Sequence, residues 1–174
     1  EEIVHPGIFI DFEITENTEE IHAILGRCLI IATRFDNLCD HAARLLDIKT
    51  SCAIILPSEK FEEYVAELFA KFSTLNNNIN SLPIGDSEKK VLHKARLARN
   101  ELAHSLAVGM TGCLDIKIDE CNFKIKVSRL ISDIAAGDYV ISAILSYLSK
   151  SPLINYSESN YRDRIVRWVD GVSA

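Results

Sequence analysis

The chain has 174 residues, of which 48% are hydrophobic and 25% are charged, and its net charge is −6. A chain of this length and composition can bury a real core and form one folded domain. The acidic balance argues against a protein that coats nucleic acid without specificity, although it leaves room for an enzyme with a local basic cleft.

The sequence predicts neither a membrane protein nor a metalloprotein. No stretch of about 18 apolar residues is free of charges, as a membrane span would require. The five cysteines are odd in number and none form a C-x-x-C pair, which is typical of reduced thiols in a cytoplasmic protein. No Cys and His residues have the spacing of zinc ligands, so we expect no metal and no cofactor.

Hydrophobic periodicity predicts two helices in the N-terminal half, after an extended segment at 1–14. A capping-box-like start at 17–20 opens the first helix, which should end near residue 48. Pro57-Ser58 opens the second helix, and three asparagines at 76–78 weaken it before Pro83 and Gly85 break the chain.

A third helix is expected from Asp86-Ser87 to about Gly109. Apolar and polar residues then alternate at 113–127, which predicts a small β-hairpin. A fourth helix follows until Ser151-Pro152, and a last short helix is expected at 158–170. The predicted fold is therefore mainly α, a helical bundle of four to five helices with a small β-hairpin insertion, in a single domain over 1–174.

The predicted third helix has an apolar side and a polar side. Its apolar side should pack on the core and comprises Val91, Ala95, Ala98, Leu102 and Leu106. Its polar side comprises Arg96, Arg99, Asn100, Ala103 and His104. Ala103 is explained either as a good helix former or as a small residue that lets a second helix approach, such as one from another copy of the chain.

The segment Arg99 to His104 concentrates chemistry suited to a phosphodiester. Arginine keeps its charge and can bind two phosphate oxygens at once, and histidine exchanges protons near neutral pH. On an ideal α-helix Arg99 and His104 point about 140° apart, so a site completed by two symmetry-related helices would join them more naturally.

The same segment, Arg-Asn-Glu-Leu-Ala-His, resembles the signature of the HEPN superfamily. That signature is an Arg, four to six residues and a His, usually with Asn, Asp or His after the Arg. The family includes metal-independent endoribonucleases of toxin–antitoxin, abortive-infection and RNA-processing systems, and two protomers typically form its site. The resemblance implies a small helical bundle, a homodimer, an RNA substrate and, for a toxin, an antitoxin protein as partner.

The resemblance also implies roles for individual residues. Cleavage would proceed by attack of a 2′-hydroxyl on the adjacent phosphate, with His104 as general base or acid and Arg99 holding the phosphate. Asn100 would orient His104 or bind a phosphate oxygen. Glu101 would either tune the local charge or serve the fold.

Basic residues continue N-terminally from this segment. Lys90, Lys94 and Arg96 belong to a run at 89–104 that contains Glu101 as its one acid. They would extend the electrostatic path for an RNA strand, unless the run is an ordinary solvated helix face.

Other interpretations stay open on the sequence alone. Arg34 and His41 also match the bare Arg-to-His spacing, but Phe35 follows the Arg, and we interpret the match as accidental. Arg99 could be a structural ion-pair partner, and His104 could bond a neighbouring carbonyl. The chain would then be a non-catalytic helical protein that acts by binding a protein or nucleotide partner.

Overall fold

The computed structural model describes residues 18–51, 55–106, 119–151 and 156–172, where all regular structure is helical. The predicted extended segment at 1–14 lies outside these ranges. The described helices are α1 (Thr18–Ser51), α2 (Ser58–Lys71), α3 (Leu75–Ser81), α4 (Asp86–Asn100), α5 (Glu120–Leu148) and α6 (Glu158–Val169). A π-helical turn, Glu101–Leu106, continues α4 and is called the π-turn below. A mainly α fold is confirmed, with one helix more than the four to five predicted.

Helix α5 lies at the centre and packs against α1, α4 and α6. The largest buried side chains of these helices meet in one core; among them are Phe35, Leu92, Ile131, Ile134 and Ile141. Each such side chain contributes about 1.5–3 kcal/mol when it leaves water. This burial fixes which side of α4 faces inward.

Within the described ranges, α5 is also the one helix long and apolar enough, by length and composition alone, to cross a membrane. Its isoleucines at 131, 134 and 141 are buried against the neighbouring helices. A place in the protein core accounts for that composition.

The predicted β-hairpin is wrong wherever the structure describes it. Residues 122–127 form the first turns of α5, whereas 113–118 lie outside the described residues. Asp119 caps the helix, because its Oδ1 accepts a hydrogen bond of 3.1 Å from the backbone N–H of Asn122. Asp119 is a residue type typical of helix caps and could have indicated this helix, but the alternation of apolar and polar residues favoured a strand.

The misleading alternation has a simple origin. Phe123 and Val127, four residues apart, are buried on one side of α5, whereas Ile125 between them is 63% exposed. Apolar residues on two sides of a helix read as a strand pattern when the exposed one is counted as core.

The predicted second helix is divided in two. α2 ends at Lys71, and Thr74 caps α3 by accepting a 3.2 Å hydrogen bond from the backbone N–H of Asn77. α2 rests on a small separate cluster in which Leu68 and Phe72 pack on Ala43 of α1.

A buried carboxylate joins three helices. Asp138 of α5 is fully buried, and Arg34 Nε of α1 lies 3.0 Å from its Oδ2 in an ion pair. Its Oδ1 accepts hydrogen bonds from Tyr161 of α6 and, at 3.3 Å, from Ser142. Arg34 thus serves the fold while His41 is exposed, which agrees with the accidental interpretation of that pair.

The cysteines that the structure describes differ in their burial. Cys28 and Cys39 are buried in the core, whereas Cys121 is exposed. Burial raises the pKa of both core thiols, that of Cys28 to about 12, so they pack as small apolar side chains. Cys52 and Cys113 lie outside the described residues.

Helices α1, α4 and α5 come close together at Gly137. A Cβ atom at this position would lie 2.4 Å from Ala95 Cβ and 2.9 Å from Phe35 Cε2, both shorter than van der Waals contact. The missing side chain therefore lets α4 lie directly against α5.

Replacement of Gly137 by alanine should lower the free energy of unfolding by about 1–3 kcal/mol, because the packed core must move to accept the methyl group. Urea denaturation measures this. Gly26→Ala is the matched control: Gly26 is exposed in α1, a Cβ there meets nothing within 4 Å, and alanine should stabilise by about 0.5–1 kcal/mol. Equal effects of the two substitutions would contradict the close contact.

Candidate functional site

The predicted two-sided character of α4 is largely confirmed. On the core side Ala95, Ala98, Leu102 and Leu106 are buried, and Val91 is half-buried. On the polar side Arg96, Arg99, Asn100 and Ala103 are half-buried, and His104 is exposed. The ring of His104 is thus accessible rather than part of the core.

The π-turn begins two residues after Arg99 and contains His104, so it changes the geometry of the Arg-to-His segment. A π-helix has i→i+5 hydrogen bonds, so each residue advances by less than the roughly 100° of an α-helix. This turns His104 from its ideal α-helical direction toward that of Arg99. π-Helical turns are rare in proteins, and those that occur are often at functional sites. The sequence interpretation assumed α-helical geometry and missed this one.

The guanidinium of Arg99 is held from two directions. Its Nη2 forms an ion pair with Oδ2 of Asp36 on α1, and its Nη1 donates a 3.2 Å hydrogen bond to Oδ1 of Asn100. Both ion-pair partners are largely covered, with 28% and 22% of their side chains exposed. A guanidinium has five N–H groups, so these contacts orient Arg99 and leave donors for an anion.

The carboxylate of Asp36 is partly buried beside Arg99, where water solvates its charge poorly. Burial raises its pKa above the ordinary value, and the attraction of Arg99 offsets this only in part. Its Oδ1 is buried and has no hydrogen-bond partner within the described part of the chain. The pair therefore orients Arg99 but contributes little to stability. The sequence offered no signal for Asp36, since the residue lies on α1, far from the motif.

A cavity of about 480 Å³ lies between α1, α4 and the segment that joins α2 to α3, and it is called the α1–α4 cavity below. Arg96, Arg99 and Asn100 line it from α4, and Asp36, Asp40 and Arg44 line it from α1. The structure thus brings three of the predicted site residues together around one polar space. His104, Lys90 and Lys94 are not among the residues that line it.

Two of the other predicted residues form ion pairs with α5. Lys94 Nζ lies 2.7 Å from Asp133 Oδ1, and Glu101 Oε1 lies 3.1 Å from Lys126 Nζ. Such exposed pairs contribute about 0–1 kcal/mol each. They favour the structural role that the sequence left open for Glu101 and partly neutralise the basic run, in which Lys90 is exposed.

No protein-family model, curated protein or solved structure matches the chain. In the ranges that the structure describes, no group of three or more His, Cys, Asp or Glu side chains could hold a metal ion. The chemistry on hand is that of an oriented arginine, an amide and an accessible histidine.

Asp36 and Asp138 should respond differently to replacement by asparagine. A raised folded-state pKa means that the fold favours protonated Asp36, so stability falls as pH rises from the ordinary carboxyl value through the raised one. Asp36→Asn mimics the protonated form and should remove this fall, changing the free energy of unfolding at pH 7 by no more than about 1 kcal/mol.

Asp138→Asn is the control, since it leaves Arg34 without its carboxylate and should cost about 2 kcal/mol. Urea denaturation between pH 3.5 and pH 7 measures both variants. A large loss of stability in Asp36→Asn alone would show that the Asp36–Arg99 pair holds the fold together.

Proposed function

We propose that the chain is a metal-independent endoribonuclease of HEPN type that cleaves single-stranded RNA, acting in the cytoplasm as a toxin or defence component. The observation that carries the proposal is that contacts orient Arg99 and Asn100 at the end of α4, while His104 is exposed on the π-turn that directly follows. The match of these residues to the HEPN signature supports the same assignment.

The proposed reaction is an internal transfer at phosphorus. The 2′-oxygen of the ribose attacks the adjacent phosphorus, the bond to the 5′-oxygen breaks, and the products are a 2′,3′-cyclic phosphate and a 5′-hydroxyl. A base removes the proton of the 2′-hydroxyl, and an acid protonates the leaving 5′-oxygen. Arg99 binds the phosphate oxygens where charge develops, so the reaction needs neither a metal nor a cofactor.

His104 performs one of the two proton transfers, and the partner subunit's His104 performs the other in a homodimer. Apolar side chains that are exposed on α4 and α5, Leu97 at 60% and Ile125 at 63%, support a self-interaction. An antitoxin protein is a further proposed partner.

One observation favours the second candidate, a non-catalytic binding protein. Asp36 occupies one edge of the Arg99 guanidinium, as a purely structural ion pair also would. The two candidates differ in a simple measurement, which is cleavage of RNA in the presence of EDTA.

His104→Ala should reduce cleavage of single-stranded RNA at least about 100-fold, because general acid–base catalysis contributes that much. Arg99→Lys keeps the charge beside Asp36 but cannot bind two phosphate oxygens at once, and it should also cleave far more slowly. His41→Ala, an exposed histidine on α1, is the control and should cleave normally. Undiminished cleavage by both site variants would refute the site, and no cleavage by the wild type would favour the binding protein.

A site that needs His104 from both subunits should be impaired by one defective subunit. When wild-type and His104→Ala chains are co-expressed in equal amounts and pair at random, about a quarter of the dimers have both histidines. Cleavage should therefore fall to about a quarter of that of the same total amount of wild-type dimer. A rate of about one half would show that each chain acts without the histidine of its partner.

A further inference from the structure

The α1–α4 cavity contains more binding groups than the cleavage step uses. Three arginines line it, and two are paired with aspartates: Arg99 with Asp36, and Arg44 Nε with Asp40 Oδ1 at 2.7 Å. Arg96 is the third and has no carboxylate partner in the described part of the chain. One positive charge is therefore left over in the cavity.

Arg96 is positioned to present that charge. Its Nε donates a 3.3 Å hydrogen bond to Nδ1 of His93, whose Nε2 lies 3.1 Å from Oδ1 of Asn80 on α3. Burial and the neighbouring cations Arg96 and Lys89 lower the pKa of His93, so its ring is neutral at pH 7 and can accept this bond. The terminal nitrogens of Arg96 stay free for an anion such as a phosphate.

Arg44 offers a flat surface in the same cavity. Its guanidinium carbon lies 4.0 Å from the ring centroid of Phe69, and Asp40 fixes its Nε edge. Side-chain exposure of Arg44 is only 20%, so the group is held in one orientation. Unpaired bases of single-stranded RNA stack on arginine planes of this kind.

The cavity is also lined by polar groups that can form hydrogen bonds with the edge of a base. Thr74, which caps α3, and Asn76 of α3 also line the cavity. With its amide nitrogen turned toward them, the buried Asn78 donates to the carbonyl oxygens of Phe72 at 3.2 Å and Thr74 at 3.0 Å. This fixes the wall in place.

We propose that the α1–α4 cavity binds one nucleotide unit, with its base against Arg44 and its phosphate on Arg96, beside the phosphate that Arg99 holds. Its volume of about 480 Å³ lies within the usual range of ligand sites. As a subsite for RNA the assignment rests on the proposed function. The same chemistry would also accept a free nucleoside monophosphate, and the test separates these two sources.

The test measures binding to the His104→Ala chain, so that no RNA is cut. The probes are adenosine monophosphate, ribose 5-phosphate, inorganic phosphate and an RNA hexamer. We expect the hexamer or the nucleotide to bind more tightly than ribose 5-phosphate, because only they supply a base. Arg44→Gln should weaken that binding about tenfold, the usual effect of one lost base stack. Arg96→Gln should weaken binding of all phosphate-bearing probes.

The matched control is Arg129→Gln, which removes the same charge from an exposed position on α5 that does not line the cavity. Loss of hexamer binding alone in Arg44→Gln assigns the cavity to the RNA strand, and loss of mononucleotide binding as well assigns it to free nucleotides. Equal affinities in Arg44→Gln and Arg129→Gln would overturn the proposal. Because binding is measured without cleavage, an inactive enzyme that still shows the Arg44 effect would refute only the proposed function.

Discussion

The contact of α4 with α5 at Gly137 is the constraint on which the site depends. Ala95 lies where a side chain at position 137 would have to lie, so α4 can pack against α5 here only because residue 137 is glycine. That contact directs Ala98 and Leu102 into the core and leaves Arg96, Arg99 and Asn100 facing α1 and α3. A shift of this contact would move all the polar groups together, since they share one rigid helix.

Two carboxylates illustrate how differently this fold uses charge. Asp138 is fully buried, yet it joins α1, α5 and α6 through several partners, so its charge is compensated. Asp36 has Arg99 as its charged partner, and burial raises the pKa of its carboxyl above the ordinary value. A charge that is retained without a gain in stability is typical of sites where geometry matters more than stability.

Much of the helical architecture could be predicted from the sequence, because the α1, α4 and α5 stripes have strong helical periodicity. The core side of α4 and the place of Arg99 on its polar side followed from the same pattern. The hairpin was wrong because the exposed Ile125 imitates strand alternation where Asp119 begins a helix. The pairing of Arg99 with Asp36 was out of reach, since the two residues lie far apart in the chain. The π-turn was missed because the periodicity analysis assumes α-helical geometry throughout.

The residues around the α1–α4 cavity differ in local stability, because the helix that supports Arg44, α2, is less firmly packed than α4. The helix is attached through a cluster of three buried residues, Ala43, Leu68 and Phe72, whereas α4 and α5 share the main core. Elements with few buried contacts open at a small fraction of the global free energy of unfolding. Phe69, whose ring contacts the Arg44 guanidinium, belongs to α2, so local opening of this helix would remove the support of Arg44 while the Arg99 side stays folded. Amide hydrogen exchange along the chain would accordingly be fast in α2 and slow in α4, with the cavity at the boundary between the two regimes.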